Sequence, residues 1–263
     1  MPNNTSKIIY RTGKWLNKLL VSCVLVLGIF SCKSTKINPY KKQGYVAIND
    51  STLQNPSMHA LVKPYQQELE DKMNEVIAIC DTPMPRLKTE PETLLGNFAA
   101  DLVYKYGKNK DLNIDMCILN FGGLRTSLPK GKITVGKIFE LMPFENELVL
   151  VELSHEKMLE LGSYLAQKGG QPISNASITI KDTNTFSLKI KGEELIPDKT
   201  YRVITTDYLA NGGDKMYFLQ NPISYTLLDI KLRDVIIEHC RNLTQKNEHL
   251  TSSIQNRVVF KPK

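Results

Sequence analysis

Histidine is scarce. The chain of 263 residues holds four, His59, His155, His239 and His249, and none forms an HxH, HxxxH or DxH pair. A two-metal hydrolytic site needs several His and Asp ligands at close spacing, so no catalytic metal centre is expected within this chain. His155 opens a helical stretch and His239 closes one, which are ordinary solvent or capping positions. No GxSxG elbow is present to expose a nucleophilic serine, and Gly162-Ser163 falls inside a helical stretch. Walker loops and GxGxxG fingerprints are missing as well. No Arg-rich run is interleaved with aromatics, which argues against nucleic-acid polymers as partners. There is no internal repeat and no low-complexity tract.

Cysteine is sparse and unpatterned. Of five, Cys23 and Cys32 lie in the N-terminal segment, leaving Cys80, Cys117 and Cys240, with no CxxC. An odd number excludes a fully paired framework. Cys117 sits in an apolar run and reads as a small core hydrophobe. No structural disulfide is predicted, with a Cys80–Cys240 pair left open.

Long apolar runs are also lacking. The one from Leu19 to Phe30 has 12 residues, against the roughly 20 that a helix needs to cross a bilayer. Lys7, Arg11, Lys14 and Lys18 precede it with no acid among them. Basic residues followed by a short apolar run form a signal peptide. The run ends at Ile29-Phe30-Ser31-Cys32, which resembles a bacterial lipobox, so Cys32 is the expected lipidation site and mature N-terminus. A plain secretory signal or an uncleaved anchor is the alternative, and each puts the body outside the cytoplasm. The expected location is the bacterial cell envelope, as a lipid-anchored periplasmic or outer-membrane protein. Of the 34 basic side chains, those four belong to the signal, which leaves 30 against 27 acidic ones. The formal +7 therefore describes the leader more than the body.

The expected organisation is a signal over 1–32, a polar tether over 33–55 and one folded domain over 56–263. Apolar spacing predicts helices over Lys63–Ile79 and Glu92–Tyr106, the second stopped by Gly107. Thr134 caps a short helix ending at Met142. Strands follow at Glu147–Leu153, Ser177–Ile180, Phe186–Ile190 and Tyr201–Thr206. Between the first two of these, a helix runs from Ser154 to about Gln167 and stops at Lys168-Gly169-Gly170. A last helix is predicted over Leu227–Asn242, and Arg257–Phe260 closes the sheet. The class is α+β, a mixed sheet packed with helices.

Several strands run into loops with chemistry. Ile114–Ile118 leads into Asn120-Phe121-Gly122-Gly123-Leu124-Arg125, where Gly permits close backbone approach and Arg125 offers a fork for anions. Asp214 follows Gly212-Gly213 and can accept from a pair of hydroxyls. Phe144 and Tyr208 are aromatics at strand ends, able to sandwich a flat ring. Taken singly, each is more often a turn, a surface Arg or a core-capping aromatic. Together they describe a pocket for something planar, hydroxylated and anionic, which fits a nucleotide.

Six segments in order carry a family resemblance over about residues 90–240. They are Leu95-Gly96-Asn97-Phe98-Ala99-Ala100-Asp101, the Asn120–Arg125 loop, Ile133-Thr134-Val135-Gly136, Met142-Pro143-Phe144-Glu145-Asn146, Pro197-Asp198-Lys199-Thr200-Tyr201-Arg202-Val203 and Asp207–Asp214. The chain resembles the C-terminal, substrate-recognition domain of the 5′-nucleotidases. That resemblance implies that Phe144 and Tyr208 stack a base, and that Asp214 takes ribose hydroxyls. It also implies that Asn120, Gly122, Gly123 and Arg125 contact base or phosphate. No catalytic or metal-binding residue is implied here.

Two departures stand out. Phe121 replaces a family glycine, and Glu90-Pro91-Glu92 stands where the family has an arginine, which removes one phosphate donor. The family's metallophosphatase domain has no counterpart in the segment before residue 90. The resemblance therefore implies the recognition half of a split nucleotidase, in a hydrolase family but inactive alone. A separate metallophosphatase polypeptide would hold the divalent metals, with no cofactor in this chain. A stand-alone nucleotide-binding lipoprotein, or a diverged module without ligand, is the alternative.

Overall fold

The computed structural model describes residues 49, 55–87 and 89–261. The chain divides into two compact units, Met1–Asn55 and Pro56–Lys263. The first has only Asn49 and Asn55 among the described residues, so Cys32, the signal and nearly all of the tether lie outside them. Among the described residues no helix is long and apolar enough to cross a membrane.

In the second unit the order is α1 (Pro56–Asn74), β1 (Val76–Cys80), α2 (Leu94–Asn109), β2 (Met116–Ile118), β3 (Gly131–Thr134), α3 (Val135–Leu141), β4 (Glu147–Leu153) and α4 (His155–Lys168). There follow β5 (Ile173–Ser174), β6 (Ala176–Asp182), β7 (Thr185–Ile190), β8 (Glu193–Glu194), β9 (Tyr201–Thr206), α5 (Asp207–Ala210), β10 (Ser224–Lys231), α6 (Leu232–Gln245) and β11 (Val258–Phe260). A five-stranded sheet, β10-β4-β9-β2-β5, forms the centre. A four-stranded sheet, β11-β6-β7-β8, and a β1–β3 pair complete the set.

Apart from β10, whose side chains are largely exposed, the central sheet is buried on both faces, and strand alternation sorts the side chains between two cores. Leu148 and Leu150 of β4, Cys117 of β2 and Ile204 of β9 face α2 and α6, against Leu95, Phe98, Val103, Val235 and Ile236. Val149, Val151 and Leu153, with Met116, Ile118 and Val203, face α4 and the four-stranded sheet, against Met158, Leu161, Ile178 and Leu188. Burial on both sides is why Glu147–Leu153 reads as a nearly continuous apolar run.

Several helix ends match their sequence signals. Thr134 and Ser154 accept from the backbone N–H of Lys137 and Lys157, and Gly169 ends α4 at φ 73°. Three predicted elements differ. The first helix starts at Pro56 and ends at Asn74, because Val76 and Ile77 belong to β1, where backbone pairing with β3 overrides helical spacing. The second continues past Gly107 to Asn109, with Gly107 buried inside it. The last is strand up to Lys231 and helix only from Leu232. Asp229 adopts φ 51° and the β10–β4 register shifts between Leu227 and Lys231, so the chain kinks instead of coiling through. Cys80, Cys117 and Cys240 are buried and free.

Candidate functional site

β2 and β9 run parallel and β4 runs antiparallel to β9, so the ends of β2 and β9 and the start of β4 share one edge of the central sheet. Three segments leave that edge: the 120–125 loop after β2, the 142–146 loop before β4, and 207–214, which opens with α5, after β9. They enclose a cavity of about 220 Å³ lined by Asn120, Gly122, Gly123, Arg125, Phe144, Asn146, Tyr208 and Asp214. All seven residues singled out from the sequence thus meet in one place, joined by Asn146, which lies in the Met142–Asn146 segment but was not singled out.

The polar wall is pre-built. Asn120 is 8% exposed, and its Nδ2 donates to Asp214 Oδ2 at 2.5 Å. Tyr208 Oη donates to Asp214 Oδ1 at 3.1 Å and accepts from the Asp214 N–H at 3.2 Å. Tyr164 Oη donates to the Asp214 carbonyl at 3.0 Å. Burial, then the nearby Asp214 charge, pushes the Tyr164 phenol up to about 12, so it remains a donor at neutral pH. Asp214 itself sits at φ 51°, a left-handed conformation that Asp tolerates better than most residues.

Two glycines make this closure possible. A Cβ on Gly122 would stand 3.0 Å from Asp214 Oδ2 and 3.1 Å from Asn120 Nδ2. A Cβ on Gly213 would stand 2.5 Å from the Tyr208 ring, which lies directly on that backbone. Phe121, the departure in the loop, turns away from the cavity. Its ring lies where a Cβ on Gly96 would meet it at 3.0 Å, beside Thr93 and Pro172, while its N–H donates to Gln171. The Gly inside α2 therefore serves packing against Phe121.

The aromatic wall is open to solvent: Phe144 is 40% and Tyr208 45% exposed. Arg125 donates Nη1 to the Gly122 carbonyl at 3.3 Å, and its guanidinium carbon lies 5.8 Å from the centre of the Phe144 ring. The cavity therefore offers two ring faces, one exposed cation, and a carboxylate–amide pair that retains acceptor capacity.

Among the described residues no group of three or more His, Cys, Asp and Glu side chains converges to hold a metal ion. A larger cleft of about 810 Å³ lies among α2, α6 and residues 247–253. Its two aspartates are already engaged: Asp81 with His249 at 2.7 Å, and Asp101 with Ser174 and Arg257, each at 2.6 Å. Burial holds the His239 imidazole beside it below its usual value.

These features define an α+β domain built around a loop-lined cavity at the end of its central sheet. The model of the 5′-nucleotidase C-terminal domain matches residues 76–221, and the chain belongs to that family. It is 28% identical over 181 residues to the silent protein UshA(0) of Salmonella typhimurium, covering 65% of this chain and 32% of that protein. It is 31% identical over 188 residues to the trifunctional nucleotide phosphoesterase protein YfkN of Bacillus subtilis, covering 64% of this chain and 13% of that one. The fold is that of a 5′-nucleotidase precursor from Thermus thermophilus, with TM-score 0.66, 23% identity and coverage of 79% of this chain and 43% of the other. The chain thus spans a third or less of these two curated relatives.

Proposed function

We propose that this chain recognises a nucleotide or nucleoside, as the substrate-binding half of a nucleotidase whose hydrolytic half is a separate metallophosphatase polypeptide. The observation that carries the reading is the convergence of Phe144, Tyr208, Asp214, Asn120 and Arg125 on one cavity. A base would slide between the two rings, ribose hydroxyls would donate to Asp214, and Arg125 would meet the phosphate. Relatives named as 5′-nucleotidase and nucleotide phosphoesterase support the substrate class.

A second surface supports the partner. α1 keeps Leu61, Val62, Tyr65 and Leu69 on one stripe, all exposed, with Tyr65 at 71%. Its last turn docks, with Met73 packed against the main core and lying over Gly136 of α3. An exposed apolar stripe of this kind marks a contact surface. In the same reading, Cys32 carries a lipid that holds the protein in the cell envelope.

Calorimetry with adenosine and with AMP tests the recognition. Phe144→Ala and Tyr208→Ala should each weaken binding about 5- to 150-fold, since a stack is worth about 1–3 kcal/mol. Unchanged affinity in both variants would sink the sandwich. Capture from detergent extracts of the native cell should bring down a metallophosphatase, and capture with Leu61→Asp/Tyr65→Asp should not. Radiolabelled palmitate should enter the wild type and not Cys32→Ala; equal labelling would remove the anchor.

A further inference from the structure

Arg233, in the first turn of α6, is 4% exposed although it carries a charge. Its guanidinium carbon lies 4.1 Å from the centre of the Phe139 ring. From there Nη1 donates to the carbonyls of Met142 at 3.4 Å and Phe144 at 3.3 Å, and Nη2 donates to the Glu145 carboxylate. The neighbours of Arg233 reach the same loop. Lys231 pairs with the other Glu145 oxygen, and the Leu232 N–H donates to the Asn146 carbonyl at 3.0 Å. Three consecutive residues at the β10–α6 junction therefore grip the 142–146 loop.

The opposite end of that loop is tied to the other aromatic. The Asp207 carboxylate accepts from the Glu147 N–H at 3.1 Å and from the Tyr208 N–H at 2.7 Å. Phe144 thus stands on a segment fixed on one side to Arg233 and on the other to the turn carrying Tyr208.

A buried arginine that served only the core would not spend its donors this way. Pro143, Phe144 and Glu145 are exposed, so water could solvate their backbone. Arg233 instead turns both Nη groups to the loop, and its Nε is buried without a hydrogen-bond partner. The fork matters because a lysine could not reach two carbonyls and a carboxylate from one fixed plane.

We propose that Arg233 is a positioning residue that sets the height of the Phe144 ring and so the width of the gap between Phe144 and Tyr208. The part concerning ligand rests on the nucleotide reading above, whereas the part concerning the loop stands without it.

The test uses the full chain with Arg233→Met, which keeps the apolar stem over Phe139, and with Glu145→Gln, which leaves the core untouched. Amide hydrogen exchange without ligand is measured first. Exchange at the Glu147 and Leu232 amides, which tie the two sides of the loop, should rise about tenfold in Arg233→Met and less in Glu145→Gln, with α2 and β9 unchanged. Exchange at these two amides equal to wild type in both variants would overturn the proposal. Calorimetry is then run with adenosine and with ribose 5-phosphate, which has no base. Arg233→Met should lose about tenfold in adenosine affinity, within the range of one stack, and keep its ribose 5-phosphate affinity. Equal loss for both probes would mean a merely structural arginine. A wild type that binds neither probe would sink the nucleotide reading, and the exchange result would still decide the role of Arg233 in the loop.

Discussion

Glu145 lies at the surface, yet Lys231 and then Arg233 hold its carboxylate down to about 2 by hydrogen bonds to its two oxygens. Lys231 is raised in return by the same contact. The folded value is below the ordinary 4.5, so the grip on the 142–146 loop is complete above about 4.5 and is lost as pH falls through 2. A carbon-detected titration of the Glu145 carboxyl should find its midpoint well below 4.5; an ordinary midpoint would show that the two cations do not hold it in solution. At this scale the sequence was informative where chemistry is local. Arg125, Asp214 and the two aromatics announce themselves by type and by their loops. Arg233 and Asp207 do not, because their meaning depends on partners 88 and 60 residues away. Asn146 was hidden for a simpler reason: an asparagine in a turn is ordinary.

Among the elements, α2 shows how a motif can be structural while looking like a binding sequence. Asn97 is 2% exposed and donates to the Glu92 carboxylate at 2.6 Å and to the Ser253 carbonyl at 2.8 Å. Glu92 also accepts from the N–H groups of Gln255 and Arg257, each at 2.7 Å. Arg257, itself 6% exposed, donates to the Ile173 carbonyl and to Asp101, both at 2.6 Å. The Gly-Asn-x-x-x-Asp helix is therefore a clasp on the C-terminal segment. Arg257→Ala should cost about 2–3 kcal/mol in urea unfolding, because it removes charge-assisted bonds from a buried site. A cost below about 0.5 kcal/mol, the scatter of ordinary surface substitutions, would show the clasp to be incidental. Caps made the boundaries of α3 and α4 readable. The β10–α6 boundary was not, since Leu227, Leu228, Leu232, Val235 and Ile236 suit a helix, and only pairing with β4 draws the first of them into a strand.

For the whole molecule, short apolar strands among amphipathic helices were enough to read a mixed sheet with helices. They were not enough to read three sheets, nor that one of them lies between two cores. A run such as Leu148–Leu153 states that both faces are covered, but what covers them is decided by contacts across the chain. The comparisons agree on the domain and differ in how much surrounds it, from 43% of the Thermus chain to 13% of the Bacillus one. A unit found in such different settings carries its cavity on its own framework, which is what the sheet edge provides.

The clasp has a consequence for the order of events at the ribosome. Glu92 finds its partner Arg257 165 residues later, and β11 pairs with β6 only once Val258–Phe260 exist. Contacts of such long sequence separation form late and slowly. Until residues 255–260 emerge, Glu92 lacks its backbone donors and β6 has an open edge. One short segment therefore completes both the clasp under α2 and the edge of the four-stranded sheet.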